Sequence, residues 1–521
     1  MSLAAAGLTL TSCSDEFLQK DSLTSVSAGT FWQSETDALN GLAACYDGLQ
    51  NIDLYNASPW ENGIFYWDCM TDNGGHFNWS GWMEGYEITN GIHSATSWAC
   101  GDLWKASYEV IKRCNTLIDN IDRCGLDAAT TKIYLAEATV IRSLMYMNLT
   151  MTFNDVPYFD HSQSLDEAEA PKMSREEIVP KVMADLKAAA EALPKDEAAR
   201  GRISKGAALA ALGRIALYNE KWSDAIDAYK QVIALNKYTL FNDYSKLFTE
   251  ENEGCSEIIL AVRYEGPGQS EGATFPAHWN TPLEAVNGTI DFADAFYKLD
   301  GTPYTDDKVF TNADNKYTNG WDVYTERYAD RDPRLYTTLF VPGYCYWNGK
   351  GGASNLYGGA AASYSTIYVN KYYNSFDTAN SWDSGQDFYV FRYAEILLGL
   401  AEAYVESGSN LDQAIALVDQ VRARVNMPSV EDVEKATSQA DLREVVRHER
   451  RVELGFEGLR LMDLYRWHML KDAVDRINGE AEKYGLWYEY RNYRGEMEYE
   501  WPIPQREIDC NSNLEQNPLW K

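Results

Sequence analysis

Arg447-His-Glu-Arg-Arg-Val-Glu-Leu-Gly-Phe-Glu-Gly-Leu-Arg-Leu-Met-Asp-Leu-Tyr-Arg-Trp467 carries nine charged side chains in 21 residues. Arg447, Arg450, Arg451, Arg460 and Arg466 stand beside Glu449, Glu453, Glu457 and Asp463. Val452, Phe456, Leu459, Met462 and Trp467 recur at helical spacings, which predicts one buried face. Charges this dense beside buried apolar groups pair, because an unpaired buried charge is very costly. The arginines and acids of the stretch are expected to meet one another, Arg460 and Asp463 among them at i,i+3. Gly455 and Gly458 divide the run into two short helices. The stretch reads as a structural knot of ion pairs; the rival reading makes Glu449, Glu453 or Glu457 catalytic.

Composition sets the partner class. The chain has 521 residues and a net charge of −32, from 78 acids against 46 bases. That balance excludes nucleic acid or anionic lipid as the main partner and favours a neutral ligand. The 16 Trp and 35 Tyr supply either a large aromatic core or flat platforms for sugars or peptides. Nine cysteines (Cys13, Cys45, Cys69, Cys100, Cys114, Cys124, Cys255, Cys345 and Cys510) include no C-x-x-C pair, which argues against a zinc or thioredoxin-like site. Apart from Cys13 they are expected to be mostly buried free thiols. Leu3 to Leu10 is small and apolar and runs into Leu10-Thr-Ser-Cys13, which resembles a lipobox with Cys13 as the lipidated residue. The usual positive start is missing, so residues 1–13 read as a shortened leader. No later stretch has 18 uninterrupted apolar residues.

Helical periodicity runs from Glu35 to Leu49, from Trp104 to Ile121, and from about Lys132 to Phe153. Residues 206–237 fit a tetratricopeptide repeat: Leu212-Gly213 in the first helix, Trp222 in the turn, Ala225 and Tyr229 in the second. Leu400-Ala401, Tyr404, Ala414 and Val418 form a second such pair, and residues 104–153 a degenerate third. Glu257 to Val262 and Tyr336 to Val341 read as short strands. Two long stretches, 51–97 and 263–375, have no clean period and are rich in Gly, Asn, Asp and aromatics. Loops this long in a compact protein are usually functional.

Several spaced segments resemble the SusD/RagB family. Glu449 to Trp467 matches its ER-x-x-EL-x-FEG-x-R-x-x-DL-x-RW signature. Ala136 to Arg142, Phe153-Asn-Asp-Val-Pro157, Arg202 to Lys205, Arg331-Asp-Pro-Arg-Leu335, Phe391 to Ala403, Trp501-Pro-Ile-Pro504 and Gln516-Asn-Pro518 match further segments. Val140 and Asn154 depart from the usual Phe and Gly; Asn tolerates a left-handed turn. The resemblance implies a mostly α, SusD-like fold. It joins a tetratricopeptide-type helical scaffold to a second, irregular loop-rich region with a few short strands. The expected organisation is the leader 1–13 and one unit over 14–521, with a helical half (14–262), a loop-rich insert (263–390) and a C-terminal helical part (391–521). It implies a surface lipoprotein of Bacteroidetes at the cell outer membrane that binds an oligosaccharide or polysaccharide and serves a SusC-like TonB-dependent transporter. Ser14-Asp15-Glu16 after Cys13 resembles the surface-export signal of such lipoproteins.

The expected ligand contacts are Trp67, His76, Phe77, Trp79 and Trp82 with Asp72 and Asn73 as polar partners, then Trp279, Trp321, Tyr346 and Trp347. These choices rest on composition and loop context. A stacking platform contributes about 1–3 kcal/mol, by analogy with stacked bases. Two or three give a dissociation constant between about 1 mM and tens of micromolar after ordering costs. No cofactor and no metal site is expected: the acids from Asp306 to Asp314 read as solvated surface. H-E-x-x-H, G-x-S-x-G and phosphate-loop patterns are absent. The rivals are a repeat adaptor that binds only protein or peptide, and a glycoside hydrolase with two acids about 5–10 Å apart in an aromatic cleft.

Overall fold

The computed structural model describes residues 31–521 apart from 57–62, 77–84, 165, 166, 168, 270, 276–285, 306–326, 342–366, 373–381, 437 and 485–489. The frame is a run of helices, each packed on the next: α1 (Glu35–Asp47), α2 (Trp98–Asn120), α3 (Ala128–Phe153), α4 (Arg175–Ala192), α5 (Lys205–Tyr218), α6 (Trp222–Ala234), α7 (Tyr393–Glu406) and α8 (Leu411–Ala423). Next, α9 (Gln439–Leu454) packs on α7 and α8, followed by α10 (Arg460–Arg466) and α11 (Leu470–Tyr484). Local chemistry sets the helix starts. The Asp127 carboxylate caps α3, Ser174 and Glu177 form a capping box on α4, and Ser438 caps α9.

The repeat geometry follows from small residues facing one ring. A Cβ at Gly213 of α5 would lie 2.3 Å from the Tyr229 ring, and one at Gly399 of α7 would lie 2.7 Å from it. Glycine on both sides lets the α6 tyrosine wedge between its neighbours. Trp222 is the first residue of α6, not part of the turn. Helix α2 starts at Trp98, six residues before the expected Trp104: its first turn holds exposed Trp98 and Gly101, which hide the period. Trp32 is buried against Gly41 of α1.

Two small sheets complete the described residues. β2 (Ile258–Val262) pairs antiparallel with β6 (Phe388–Arg392). The other has the order β1 (Gly74–His76), β3 (Val286–Gly288), β5 (Tyr368–Val369), β4 (Leu339–Phe340), all neighbours antiparallel. The strand expected from Tyr336 to Val341 is only β4. The turn Arg334–Thr338 before it is helical, with the Arg334 backbone N–H donating to the Asp332 carboxylate. Cys45, Cys69, Cys100, Cys114 and Cys124 are buried free thiols; Cys255 is half-buried and Cys510 exposed.

The Tyr229 wedge gives a paired prediction. Gly213→Leu drives side-chain atoms into the ring and lowers stability by about 1–3 kcal/mol or more. The Tyr229 hydroxyl is buried with no hydrogen-bond partner among the described residues, so Tyr229→Phe holds or raises stability. Urea unfolding of both variants checks this; a marked loss in Tyr229→Phe would refute the wedge account.

Candidate functional site

Glu449, Glu453 and Glu457 are fully buried, and each is held by cations from elsewhere in the chain. Glu449 accepts from Arg334 Nη1 at 2.5 Å and Arg422 Nε at 2.8 Å. Glu453 accepts from Arg392 at 2.6 Å and Arg334 at 3.0 Å, and also from Arg424. Glu457 accepts from Arg392 Nε at 2.6 Å and Lys371 Nζ at 2.9 Å. The knot is therefore real, but its pairing differs from the expected one. Successive helical residues point about 100° apart, so Arg450 and Arg451 face away from the glutamates. Arg450 and Arg466 bind Asp463, while Arg460 reaches Asp72 and not Asp463. Burial alone would raise the Glu449 carboxyl, but Arg334 and Arg422 hold it at about 2. With their lone pairs committed to arginine and lysine, none of the three is placed for acid–base work.

The same stretch carries the base of the first aromatic region. After α9 the chain turns through Phe456 and Gly458, both left-handed at φ 60° and 75°. That conformation is costly for phenylalanine. The Asp68 carboxylate offsets it by accepting the backbone N–H of Phe456 and of Gly458, each at 2.8 Å. Burial raises the Asp68 carboxyl to about 6 against these hydrogen bonds. Asp72 accepts two bonds from Arg460 at 2.9 Å and also pairs with Arg451 and Arg476. Burial works against its charge, yet the three arginines hold its carboxyl well below the usual range. Arg491 donates to the carbonyls of Thr71 and Gly74. Thr289 N donates to Asn73 O at 3.0 Å, which joins this segment to β3.

These contacts hold strand ends that border candidate ligand stretches. His76 at the end of β1 lies opposite Val286 at the start of β3. Phe340 at the end of β4 lies opposite Tyr368 at the start of β5. The chain between these strand ends includes residues 77–84, 276–285 and 342–366. Phe77, Trp79, Trp82, Trp279, Trp321, Tyr346 and Trp347 lie outside the described residues, as does Cys13. His76 is described only as a residue of β1.

Three expected contacts are corrected. Trp67 is 2% exposed, with its ring edge-on to Trp501 at 6.3 Å. Asp72 is 0% exposed and bound by three arginines, and Asn73 is buried, bonded to Asp68 and Arg451. They are framework, because a carboxylate and an amide beside surplus arginines are drawn into the interior. The stretch 447–467 has five arginines and four acids; that excess is the signal for acids from another segment.

Another close pair of acids among the described residues is Glu253 and Asp387. One nitrogen, Arg200 Nη2, donates to both, at 2.6 and 2.7 Å. Burial and the neighbouring Asp387 charge raise Glu253 to about 8. The guanidinium fills the space that a sugar and water would need between two catalytic acids. Among the described residues no group of three or more His, Cys, Asp or Glu is placed to hold a metal, and no helix is long and apolar enough to cross a membrane.

The knot predicts an acid limb. Glu449 sits at about 2, below its ordinary 4.5. A depressed carboxyl stabilises the fold above its unfolded value and loses that contribution as pH falls through the folded one. Stability therefore declines between pH 4.5 and about 2. Glu449→Gln flattens this limb and costs about 3–5 kcal/mol at neutral pH, because Arg334 and Arg422 lose a buried partner. Urea midpoints across pH check both; an unchanged acid limb would remove Glu449 from the account.

A family model described as the SusD family matches residues 256–520. Another, described as starch-binding associating with outer membrane, matches residues 16–217. A SusD-like protein of Formosa agariphila is 26% identical over 530 residues, covering 96% of this chain and 94% of its own. The crystal structure of a SusD-like carbohydrate binding protein from Bacteroides fragilis superposes with a TM-score of 0.79 at 26% identity, over 93% of this chain and all of that one (100%). A laminarin binding SusD-like protein shares the fold at 22% identity, with a TM-score of 0.70 over 94% of this chain and 100% of its own. The first model alone spans more than half of the chain, it includes the knot and the small sheets' later strands, and the fold agrees: this protein belongs to the SusD family.

Proposed function

We propose that this chain is a non-catalytic, surface-anchored glycan receptor. It captures an oligosaccharide on aromatic side chains of the loops borne by the β1–β3–β5–β4 sheet, and it delivers that ligand to a SusC-like TonB-dependent transporter of the outer membrane. Cys13 carries the lipid that holds it there. The observation that carries this reading is the division of labour around the sheet. The signature acids are consumed by arginines in the interior, and what they support are the roots of stretches that hold Phe77, Trp79, Trp82, Trp279, Tyr346 and Trp347. Trp321, between β3 and β4 in the chain, is a further candidate. Glycan binding is in keeping with the names of the Bacteroides fragilis and laminarin-binding relatives. A sugar presents apolar ring faces and polar rims, which suits flat rings flanked by Asn, Asp and Arg. A receptor that hands its ligand onward works best with weak binding, in the range two or three platforms supply.

Titration of the lipid-free chain with a panel of oligosaccharides and polysaccharides, followed by tryptophan fluorescence, tests this. The expected result is saturable quenching by one glycan, weakened about tenfold or more in Trp79→Ala or Trp82→Ala, about 1.4 kcal/mol for each tenfold. Trp222→Ala, at the start of α6 in the scaffold, leaves it unchanged. Release of reducing ends would overturn the non-catalytic reading. Silence across the panel with saturation by a peptide would overturn the glycan reading.

A further inference from the structure

A polar cavity of about 430 Å³ opens where the ends of α3, α5 and α10 meet the C-terminal tail. Its lining draws on segments far apart in sequence, among them Asn154, Arg175, Tyr465, His468, Tyr499 and Glu500. None of them comes from the aromatic loops. Small-molecule sites commonly measure about 300–1,000 Å³, so this one has room for one or two sugar rings.

The lining offers a donor, an acceptor and a ring. Arg175 donates to Asn219 Oδ1 at 2.8 Å, to Tyr218 O at 3.3 Å and to Met151 Sδ at 3.0 Å. No carboxylate of the described residues pairs with it, unlike the arginines of the knot. Glu500 is half-buried, and its Oε1 is buried without a hydrogen-bond partner among the described residues. A buried carboxylate oxygen left unpaired is costly, and a ligand hydroxyl donating to it removes that cost. Tyr499 is half-buried, edge-on to Tyr465 at 5.9 Å and tilted against His468 at 4.8 Å. Tyr493 also packs edge-on against it at 6.2 Å, so it is a ring held in place by three others.

Charge narrows the ligand class. The C-terminal ends of α3, α5 and α10 bring partial negative charge to the cavity and Glu220, Glu496 and Glu500 add to it, while the start of α4, whose first residue is Arg175, brings partial positive charge. A free anion is repelled by the carboxylates, and a free cation meets Arg175 and the start of α4. A molecule whose groups both donate and accept satisfies the arginine and the carboxylate together. We propose that this cavity is a second ligand site, separate from the loop-borne one, that takes a small neutral polyhydroxylated molecule of one or two sugar rings. It stands on this cavity alone, so failure of the loop site leaves it intact.

Ligand-observed NMR titration of the full chain with glucose and maltose tests it, in a Trp79→Ala/Trp82→Ala background that removes the loop contribution. The expected result is saturable millimolar binding that weakens about tenfold in Tyr499→Ala and in Glu500→Ala, with Glu500→Gln as a shape-preserving variant that also weakens it. Thermal unfolding of each variant separates loss of the site from loss of the fold. Absence of saturation by either sugar would overturn the proposal, as would equal binding in the folded variants. Saturation by sodium sulfate in place of the sugars would overturn the neutral-ligand assignment.

Discussion

Three glutamates without water must each find a cation, and that requirement organises the C-terminal half. Glu449, Glu453 and Glu457 draw Arg334 from the turn before β4, Lys371 from beyond β5, Arg392 from the end of β6, and Arg422 and Arg424 from the end of α8. Glu257, just before β2, joins through Arg392 and Arg424. Buried ion pairs are weak as net stabilisers, because desolvation cancels much of the attraction. Breaking one is severe. An interior of this kind therefore acts through the cost of alternatives: a shifted register of β6 or a different seat for Arg334 leaves a charge stranded.

From the knot the order passes outward to the sheet. Asp68 holds the turn at Phe456 and Gly458 by their N–H groups, and Arg451 and Arg460 reach back to Asp72. A Cβ at Gly74 would meet Asn287 O and the Phe456 ring, both at 2.9 Å, so β1 lies closely against β3 and the signature turn at once. Loops rooted on such a base lose less freedom when they grip a ligand than loops on a soft one, and preorganisation of this sort adds affinity without new contacts.

The helical scaffold was legible because its rules are local. Gly213 and Tyr229 stand 16 residues apart and announce a packed helix pair; Gly455 and Gly458 announce where α9 ends. The strand at Ile258–Val262 shows as a β-branched run. What was not legible is the long-range choice of partner. Nothing near Arg460 says that it will pass over Asp463, three residues away, for Asp72, nearly four hundred residues back. Trp67 read as a platform because its neighbours are irregular in sequence, but Ile64–Met70 is a fully buried 3-10 turn. Irregular sequence marks the absence of a repeat, not exposure. The excess of arginine over acid in the signature was a usable sign that outside acids enter the core.

The internal pairing also sharpens what the net charge of −32 means. Arg214, Arg334, Arg392, Arg422, Arg450 and Arg466 are matched inside by acids. Each such pairing takes a base out of the outer balance together with acid. The surface is left with fewer bases against the acids that remain there. Fields from such a surface slow the approach of polyanions and are screened by salt over about 8–10 Å. An acidic polysaccharide would meet this barrier before any aromatic ring could stack on it, whereas a neutral glycan would not. Charge at a distance and the stacking proposed at contact would thus favour the same ligand class, and the first of these is set by how the interior uses its arginines.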